Sequence, residues 1–255
     1  KIGTTKILLI SIIAVILVGA LILSLPICNK KPIKMIDSLF VSTSAVCVTG
    51  LTTIVPIEQL TVIGQMVLLA LIQIGGIGFM TLIAIVLIVI GKKLNLSDKL
   101  IIRESLNQDS FKGLVKLVKK VCFCTFIIEL IGACILSIRF IPDFGLRRGI
   151  WFSIFHSISA FCNAGFDLMG ANSISVYSND WLVCGTIMML IIIGGLGFTV
   201  WDDIIKNIKN RKKIKNLTVH TKIVLVMTAI LLVSGTILTF AFEKDNIHTM
   251  GNDCF

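Results

Sequence analysis

Charged residues are scarce in this sequence. They make up 15% of its 255 residues, whereas hydrophobic residues make up 56%. An average soluble domain carries about 25% charged residues. This composition excludes an ordinary soluble domain and predicts an integral membrane protein.

Metal-binding and catalytic patterns are also missing. The eight cysteines form no Cys-x-x-Cys pair, and no His-rich spacing occurs, so we expect no zinc site. Most of the cysteines fall inside apolar stretches, which argues against a disulfide framework. No nucleophile and base lie at compatible membrane depth. We therefore predict a protein that is not an enzyme and that holds no covalently bound cofactor.

Long apolar stretches are what the sequence has instead. About 20 apolar residues, rising 1.5 Å each, cross a hydrocarbon core of about 30 Å. The first stretch ends near Pro26 without the small-residue cleavage site of a signal peptide, so we interpret it as a retained span. The five predicted spans are residues 7–25, 62–90, 121–141, 181–200 and 223–242.

The net charge of +10 is concentrated in two loops. Eight cations lie between the second and third predicted spans and seven between the fourth and fifth, against three in each intervening segment. Lys and Arg are enriched in the cytoplasmic loops of membrane proteins. We therefore place both basic loops and the N-terminus in the cytoplasm, and we attribute the charge to membrane topology rather than to nucleic-acid binding.

The sequence contains an internal repeat. Residues 38–50, SLFVSTSAVCVTG, align without gaps with residues 153–165, SIFHSISAFCNAG, and seven of the thirteen positions are identical. A second block follows each copy, Ile74–Phe79 and Ile193–Phe198, with offsets of 115 for the first block and 119 for the second. The chain is therefore predicted to consist of duplicated units of span, hairpin and span.

Each hairpin begins with a stretch too short to cross the membrane. Ile36–Cys47 has twelve residues, about 18 Å as a helix, so we expect it to enter halfway from the outside and to return. Non-helical backbone at that depth is tolerated only where it is buried in protein or lines a water-filled cavity. The predicted fold is an all-α membrane protein with five spans and two re-entrant pore hairpins.

The return limbs of the hairpins are the predicted ion filter. They contain no acidic side chain, so a passing cation would meet backbone carbonyls. The half-helix directs the negative end of its dipole to the same place. Glycine frees the backbone there, although an ordinary turn is the alternative for Gly50 and Gly165. The predicted filter residues are Val46, Cys47, Val48, Thr49 and Gly50, with Phe161, Cys162, Asn163, Ala164 and Gly165.

These motifs resemble the first two pore units of the Ktr/Trk potassium transporter family, in its Ktr-type membrane subunit. The resemblance rests on T-S-A-V-C-V-T-G-L, Q-I-G-G-I-G-F-M, S-A-F-C-N-A-G-F and I-I-G-G-L-G-F-T, and it covers nearly the whole chain. It implies four pore units in one polypeptide, with Gly50 and Gly165 as the first two filter glycines. It also implies potassium uptake across the plasma membrane, coupled to sodium in some members. Homodimers on a cytoplasmic ring of nucleotide-binding regulatory subunits are a further implication.

The repeat divides the chain into five segments. The period places a third filter glycine at about position 267, so we expect the sequence to be part of a four-unit protein. The alternative is a non-conducting membrane subunit that assembles with pore proteins or regulates them. The segments are a first unit at 1–90, a basic amphipathic loop at 91–120, a second unit at 121–205, a basic loop at 206–222 and the start of a third unit at 223–255.

Polar residues inside apolar stretches are further candidates. Glu129 lies in the middle of a span, where a charge is costly, so it is either functional or a protonated or hydrogen-bonded structural residue between helices. Gln73 is a weaker candidate for lining the inner cavity. We expect His156 to be packed or hydrogen-bonded, and Arg139 to extend toward water at the outer end of its span.

Three smaller expectations concern packing and lipid. The serines of the two half-helices, Ser42, Ser44, Ser157 and Ser159, are expected to be scaffold residues that satisfy half-helix carbonyls and pack against neighbours. Cys47 and Cys162 are expected to be small buried hydrophobes. The glycines of the two I-G-G blocks are expected to allow close helix packing, with a hinge as the alternative; they are Gly75, Gly76, Gly78, Gly194, Gly195 and Gly197. The amphipathic segment 111–118 is predicted to bind anionic lipid or a regulatory ring.

Overall fold

The computed structural model describes residues 4–77, 111–209 and 217–244. All regular elements in these ranges are helical, apart from one isolated β-bridge between Asn29 and Leu60, so the predicted all-α class is confirmed there. The helices are α1 (Thr4–Ser24), α2 (Met35–Val46), α3 (Pro56–Gln59), α4 (Val62–Gly76), α5 (Phe111–Phe144), α6 (Leu146–Phe161), α7 (Trp181–Gly195), α8 (Phe198–Lys209) and α9 (Val219–Glu243). Two short 3-10 helices, Pro26–Cys28 and Ser173–Tyr177, lie between them.

Several predictions lie outside the described residues. These include the end of the second predicted span (78–90) and the first basic loop up to residue 110. Residues 210–216 of the second basic loop and residues 245–255 are outside as well. The side chains on which the amphipathic prediction for 111–118 depends are also not described.

The predicted spans correspond to helices of unequal length. Within the described residues, Lys120–Phe144 of α5 and all of α9 are each long and apolar enough to cross a membrane. The fourth predicted span, 181–200, is wrong as one continuous helix, because α7 ends at Gly195 and α8 begins at Phe198. Gly197, between them, has φ +84°, a left-handed backbone that a helix cannot continue through. Neither α7 nor α8 alone is long and apolar enough to cross a membrane. The two helices meet that requirement only as a pair.

The chain divides into two compact units, Lys1–Gly195 and Leu196–Phe255. The first unit contains both copies of the sequence repeat. In the first copy α2 packs against α1 and α4, and in the second copy α6 packs in the same way against α5 and α7. The helix α4 of the first copy also packs on α6 of the second, and this contact joins the two copies.

Local sequence explains where the half-helices end. The helix α2 stops at Cys47 because the next residue, Val48, has φ +56°. The helix α6 stops at Cys162 because Asn163 has φ +57°. A left-handed residue ends the repeating hydrogen bonds of a helix. Both copies of the repeat therefore turn back at the corresponding position.

The second compact unit consists of α8 and α9. The helix α9 begins at a Thr218 cap, whose side-chain oxygen accepts from the Thr221 backbone N–H at 3.3 Å. Asp203 of α8 accepts from the Thr218 backbone N–H and hydroxyl, each at 2.9 Å. This contact fixes the connection between the two helices.

Candidate functional site

The two return limbs have the same backbone structure. In the first limb the Thr49 N–H donates to the Ser44 carbonyl at 2.8 Å, and in the second the Ala164 N–H donates to the Ser159 carbonyl, also at 2.8 Å. Each limb ends in a glycine with positive φ, +80° at Gly50 and +72° at Gly165. Val48 and Asn163, each two residues before its glycine, also have positive φ. In both limbs, one residue with negative φ therefore separates two residues with left-handed backbone.

The limbs meet at these two glycines. A Cβ atom built on Gly50 would lie 2.7 Å from the Ala164 carbonyl oxygen and 3.2 Å from the Gly165 Cα. Main chain thus approaches main chain at a distance that no other residue permits at position 50. The two stretches are 115 residues apart in the sequence, yet their backbones meet in the fold.

The ten predicted site residues differ in exposure. Cys162 is buried as predicted, but the prediction for Cys47 is wrong, because its side chain is exposed. Cys162 packs against Gly76 of the first copy, and this contact contributes to its burial. The buried residues are Val46, Phe161, Cys162 and Ala164; Val48 and Gly50 are half-buried; and Cys47, Thr49, Asn163 and Gly165 are exposed.

The half-helix serines bond to neighbouring segments. Ser42 donates to the Ile16 carbonyl of α1 at 2.8 Å, and Ser157 donates to the Glu129 carbonyl of α5 at 2.6 Å. Ser159 donates to the Phe166 carbonyl, just after the second limb, at 2.6 Å. None of these three hydroxyls bonds a carbonyl of its own half-helix, but each joins its half-helix to a neighbouring segment, as expected of scaffold residues. Buried hydroxyls in proteins nearly always have a hydrogen-bond partner, and here the partners are carbonyls of α1, of α5 and of the residue after the second limb.

Glycines allow the helices to approach the half-helices closely. A Cβ on Gly19 of α1 would lie 2.5 Å from the Ser42 hydroxyl, and one on Gly132 of α5 would lie 2.5 Å from the Ser157 hydroxyl. In the I-G-G blocks, Gly75 packs on the Val46 carbonyl and Gly194 on the Phe161 carbonyl. These paired contacts confirm the packing prediction for Gly75 and Gly194, and they show that both copies use the same contact scheme.

His156 holds the chain that follows the second limb. Its Nδ1 lies 2.7 Å from the Phe152 carbonyl, and its Nε2 accepts from the Leu168 N–H at 3.3 Å. The prediction of a hydrogen-bonded side chain is confirmed. Val41 occupies the corresponding position in the first copy, so only the second limb has this support.

Polar side chains also bridge the two copies. The Gln73 Nε2 donates to the Glu129 carboxylate at 2.9 Å, which confirms the hydrogen-bonded interpretation of Glu129. The Trp151 Nε1 donates to the Gln65 side-chain oxygen at 2.7 Å. Neither Trp151 nor Gln65 was among the predicted site residues. Their only signal was the presence of polar groups in apolar helices.

A charged cluster lies at the predicted outer end of α5. The Arg139 guanidinium is 2.7 Å from Asp180, which also caps the first turn of α7 by accepting from the Leu182 and Val183 N–H groups. The Tyr177 hydroxyl donates to Asp143 at 2.7 Å. Burial, and then this hydrogen bond, raise the pKa of Tyr177. Arg139 therefore pairs with a carboxylate while its side chain is about half exposed; its position at the outer membrane surface stays a prediction.

Within the described residues, no three His, Cys, Asp or Glu side chains cluster so that they could hold a metal ion. The limbs themselves offer main-chain carbonyl oxygens. Oxygen ligands without a fixed charge are suited to weakly held monovalent cations rather than to a permanently bound transition metal.

Comparison with known proteins identifies the family. The TrkH family, described as cation transport proteins, matches residues 5–252. The chain belongs to the TrkH family. This family consists of transporters rather than enzymes, as the sequence predicted. The match also confirms the resemblance to the Ktr/Trk family that the repeated motifs indicated.

Several TrkH-like relatives are similar along most of the chain. The Ktr system potassium uptake protein B of Bacillus subtilis is 42% identical over 97% of the chain, and the protein of the same name from Vibrio alginolyticus is 40% identical over 98%. The potassium/sodium uptake protein NtpJ of Enterococcus hirae is 40% identical over 91%. The chain covers 51% to 54% of these relatives, so it spans about half of their length.

Proposed function

We propose that this chain contributes two walls of a carbonyl-lined filter for potassium uptake across the plasma membrane. The observation that carries the proposal is the meeting of the two duplicated limbs at Gly50 and Gly165. The names of its relatives, which are potassium or potassium/sodium uptake proteins, agree with this function. A role as a non-conducting assembly or regulatory subunit has no such support.

The electrostatics of the limbs favour a cation. The half-helices α2 and α6 both end where their limbs begin, so the partial negative charge of each helix C-terminus lies beside the site. The exposed Thr49 and Asn163 bring no charge of their own. Carbonyl oxygens would replace the hydration shell of the ion, and their number and spacing would set the selectivity. Val46–Gly50 and Phe161–Gly165 are the proposed ion-binding segments.

The helix α4 contacts the second copy through Gln65 and Gly76, and Leu68 and Ile72 lie between them on the same side of the helix. The corresponding side of α7 is exposed. Leu68 and Ile72 of α4 are fully buried, whereas their counterparts on α7, Ile187 and Ile191, are partly exposed and 43% exposed, respectively. A cavity of about 300 Å³ opens at this face and is lined by Ile187, Ile191, His156 and Asn163. We infer that a further pore unit packs here as α6 packs on α4, and that two further walls complete the filter.

The family resemblance also suggests the orientation, the assembly and the ion coupling of the full protein. We propose that the half-helices enter from outside, that the N-terminus and the basic loops lie in the cytoplasm, and that the full protein is a homodimer on a nucleotide-binding regulatory ring. Coupling to sodium and contact of the basic loops with anionic lipid belong to the same proposal. The excess of Lys and Arg in residues 91–120 and 206–222 supports this orientation.

Rubidium uptake by potassium-starved cells that express the full-length reading frame tests the proposal. We expect Gly50→Asp to abolish uptake or its preference for potassium, because a carboxylate would displace the carbonyl arrangement. Gly145→Asp is the matched control, since Gly145 also has positive φ (+78°) but has no neighbour within 4 Å of a built Cβ. Full uptake with unchanged preference in the Gly50 variant would refute the proposal.

A further inference from the structure

A chain of three polar side chains connects the first copy of the repeat to the second limb. The Gln73 Nε2 of α4 donates to Glu129 of α5 at 2.9 Å, and the Cys162 thiol at the start of the second limb donates to the Gln73 Oε1 at 3.7 Å. Glu129 is 5% exposed and Cys162 is 5% exposed. Gln73 between them is half-buried, so both hydrogen bonds are partly shielded from water. A shielded polar group that loses its partner is costly.

This chain is absent from the common contact scheme of the two copies. The hydrogen bonds from Ser42 to Ile16 and from Ser157 to Glu129 show that Ile16 is the counterpart of Glu129. The offset of the I-G-G blocks makes Ile192 the counterpart of Gln73. Both counterparts are apolar, so the fold of a single copy does not need the pair. Gln73 and Glu129 lie on α4 and α5, which meet where the first copy contacts the second.

We propose that Gln73 and Glu129 are positioning residues that fix the second limb relative to the first, and that they thereby set the cation preference of the filter. The inference rests on the proposed function of the two limbs. Neither side chain touches the ion in this proposal; they act through Cys162.

The geometry of an amide explains how the pair acts. A Gln side chain presents two donors on one end and an acceptor on the other. Because the Glu129 carboxylate takes the Nε2 end, the Oε1 end must face the Cys162 thiol. Without Glu129 the amide is free to rotate, and the thiol then loses a defined acceptor. The limb that follows Cys162, up to Gly165 at the meeting point with Gly50, would lose this anchor on α4.

The test is a set of paired substitutions in the full-length protein, read as the preference for potassium over sodium in competition with rubidium uptake. Gln73→Leu and Glu129→Leu are each expected to lower this preference about fivefold or more, the factor that corresponds to one buried hydrogen bond. Glu129→Gln keeps an acceptor and is expected to stay within about twofold of wild type. Gln73→Glu alone places a second carboxylate against Glu129 and is expected to lower the preference. Adding Glu129→Gln exchanges the partners and is expected to restore it.

A matched control separates positioning from general stability. Trp151→Phe removes the hydrogen bond to Gln65, which joins the same two copies at a different point of α4. We expect it to lower the amount of protein in the membrane without changing the ion preference per molecule. A purely structural role of Gln73 and Glu129 would give their variants this same result.

The outcomes are distinct. Unchanged preference in both leucine variants would overturn the inference while leaving the proposed function intact, provided that Gly50→Asp still abolishes transport. If the leucine variants do not reach the membrane, the exchanged pair decides: rescue supports the inference, and failure of the exchanged pair to restore the preference overturns it. If Gly50→Asp has no effect on transport, the proposed function itself fails.

Discussion

Gly50 and Gly165 face each other, but the space around them is unequal. A Cβ on Gly50 would meet the Ala164 carbonyl oxygen at 2.7 Å, whereas a Cβ on Gly165 would have only the Gly50 Cα within 4 Å, at 3.3 Å. Both residues have positive φ, so any side chain is strained at either position. The difference between them is the carbonyl oxygen on one side.

Alanine substitutions should reveal this inequality. Gly50→Ala and Gly165→Ala both carry backbone strain of about 1–3 kcal/mol, but only Gly50→Ala must also push the Ala164 carbonyl away from its position. We expect rubidium uptake to fall further in Gly50→Ala than in Gly165→Ala. Gly145→Ala is the control, because it introduces the same backbone strain at a position where a Cβ has no neighbour within 4 Å. It should leave uptake per molecule unchanged. Equal loss in both filter variants would show that the steric contact has no influence on transport.

The glycines of α1 and α5 that face the half-helix serines give a second prediction, which concerns stability. Gly19→Ala and Gly132→Ala should each destabilise the protein, because the added methyl group would lie 2.5 Å from the Ser42 or Ser157 hydroxyl and 2.8 Å from a leucine methyl group. Overpacking of this kind costs about 1–3 kcal/mol. The measurement is the melting temperature of the purified protein in detergent.

Gly185 of α7 is the matched control for those variants. It is also a helical glycine, but a Cβ there has nothing within 4 Å. Because Gly is less favourable than Ala in a helix by about 1 kcal/mol, Gly185→Ala should leave the melting temperature unchanged or raise it. A similar decrease in all three variants would mean that the close approach to the serines is not the cause.

Sequence patterns revealed the duplicated half-helices because their motif is local and repeated. The match of SLFVSTSAVCVTG with SIFHSISAFCNAG predicts two equal turns, and the helices Met35–Val46 and Leu146–Phe161 end at corresponding residues. The break after Gly195 was not predicted, because hydropathy is continuous from Trp181 to Val200 and carries no information on backbone angles. A positive φ at Gly197 is a property of the folded chain.

Contacts between the copies could not be predicted for a different reason. Gln65 and Trp151 are 86 residues apart, and nothing in their local sequence marks them as partners. The unequal exposure of Cys47 and Cys162, which occupy the same motif position, likewise depends on which helix packs beside each limb. A repeat predicts what its copies share, and tertiary packing decides where they differ.

Tyr177 gives a prediction about pH. Its pKa is raised above the ordinary value of 10 by burial and by the hydrogen bond to Asp143, so the folded protein favours the neutral phenol. The resulting stability is fully present below pH 10 and is lost as the pH rises above it. The melting temperature of wild type should therefore fall more steeply between pH 9 and about 11 than that of Tyr177→Phe. Parallel curves would exclude a contribution of Tyr177 to this alkaline dependence.

The exposed face of α7 gives the last prediction. If a further pore unit covers it, Ile191 is buried in the full-length protein as Ile72 is buried in this chain. Ile191→Ala should then lower the stability of the full-length protein by about 2–5 kcal/mol, the usual cost of removing a buried isoleucine side chain, and Ile72→Ala should have a similar effect. Met189 provides the control, since it is 59% exposed and its counterpart, Ala70, is exposed as well. Met189→Ala should cost much less. Equal, small effects of the Ile191 and Met189 substitutions would mean that lipid, rather than protein, covers this face, and the ring of pore units would have to close elsewhere.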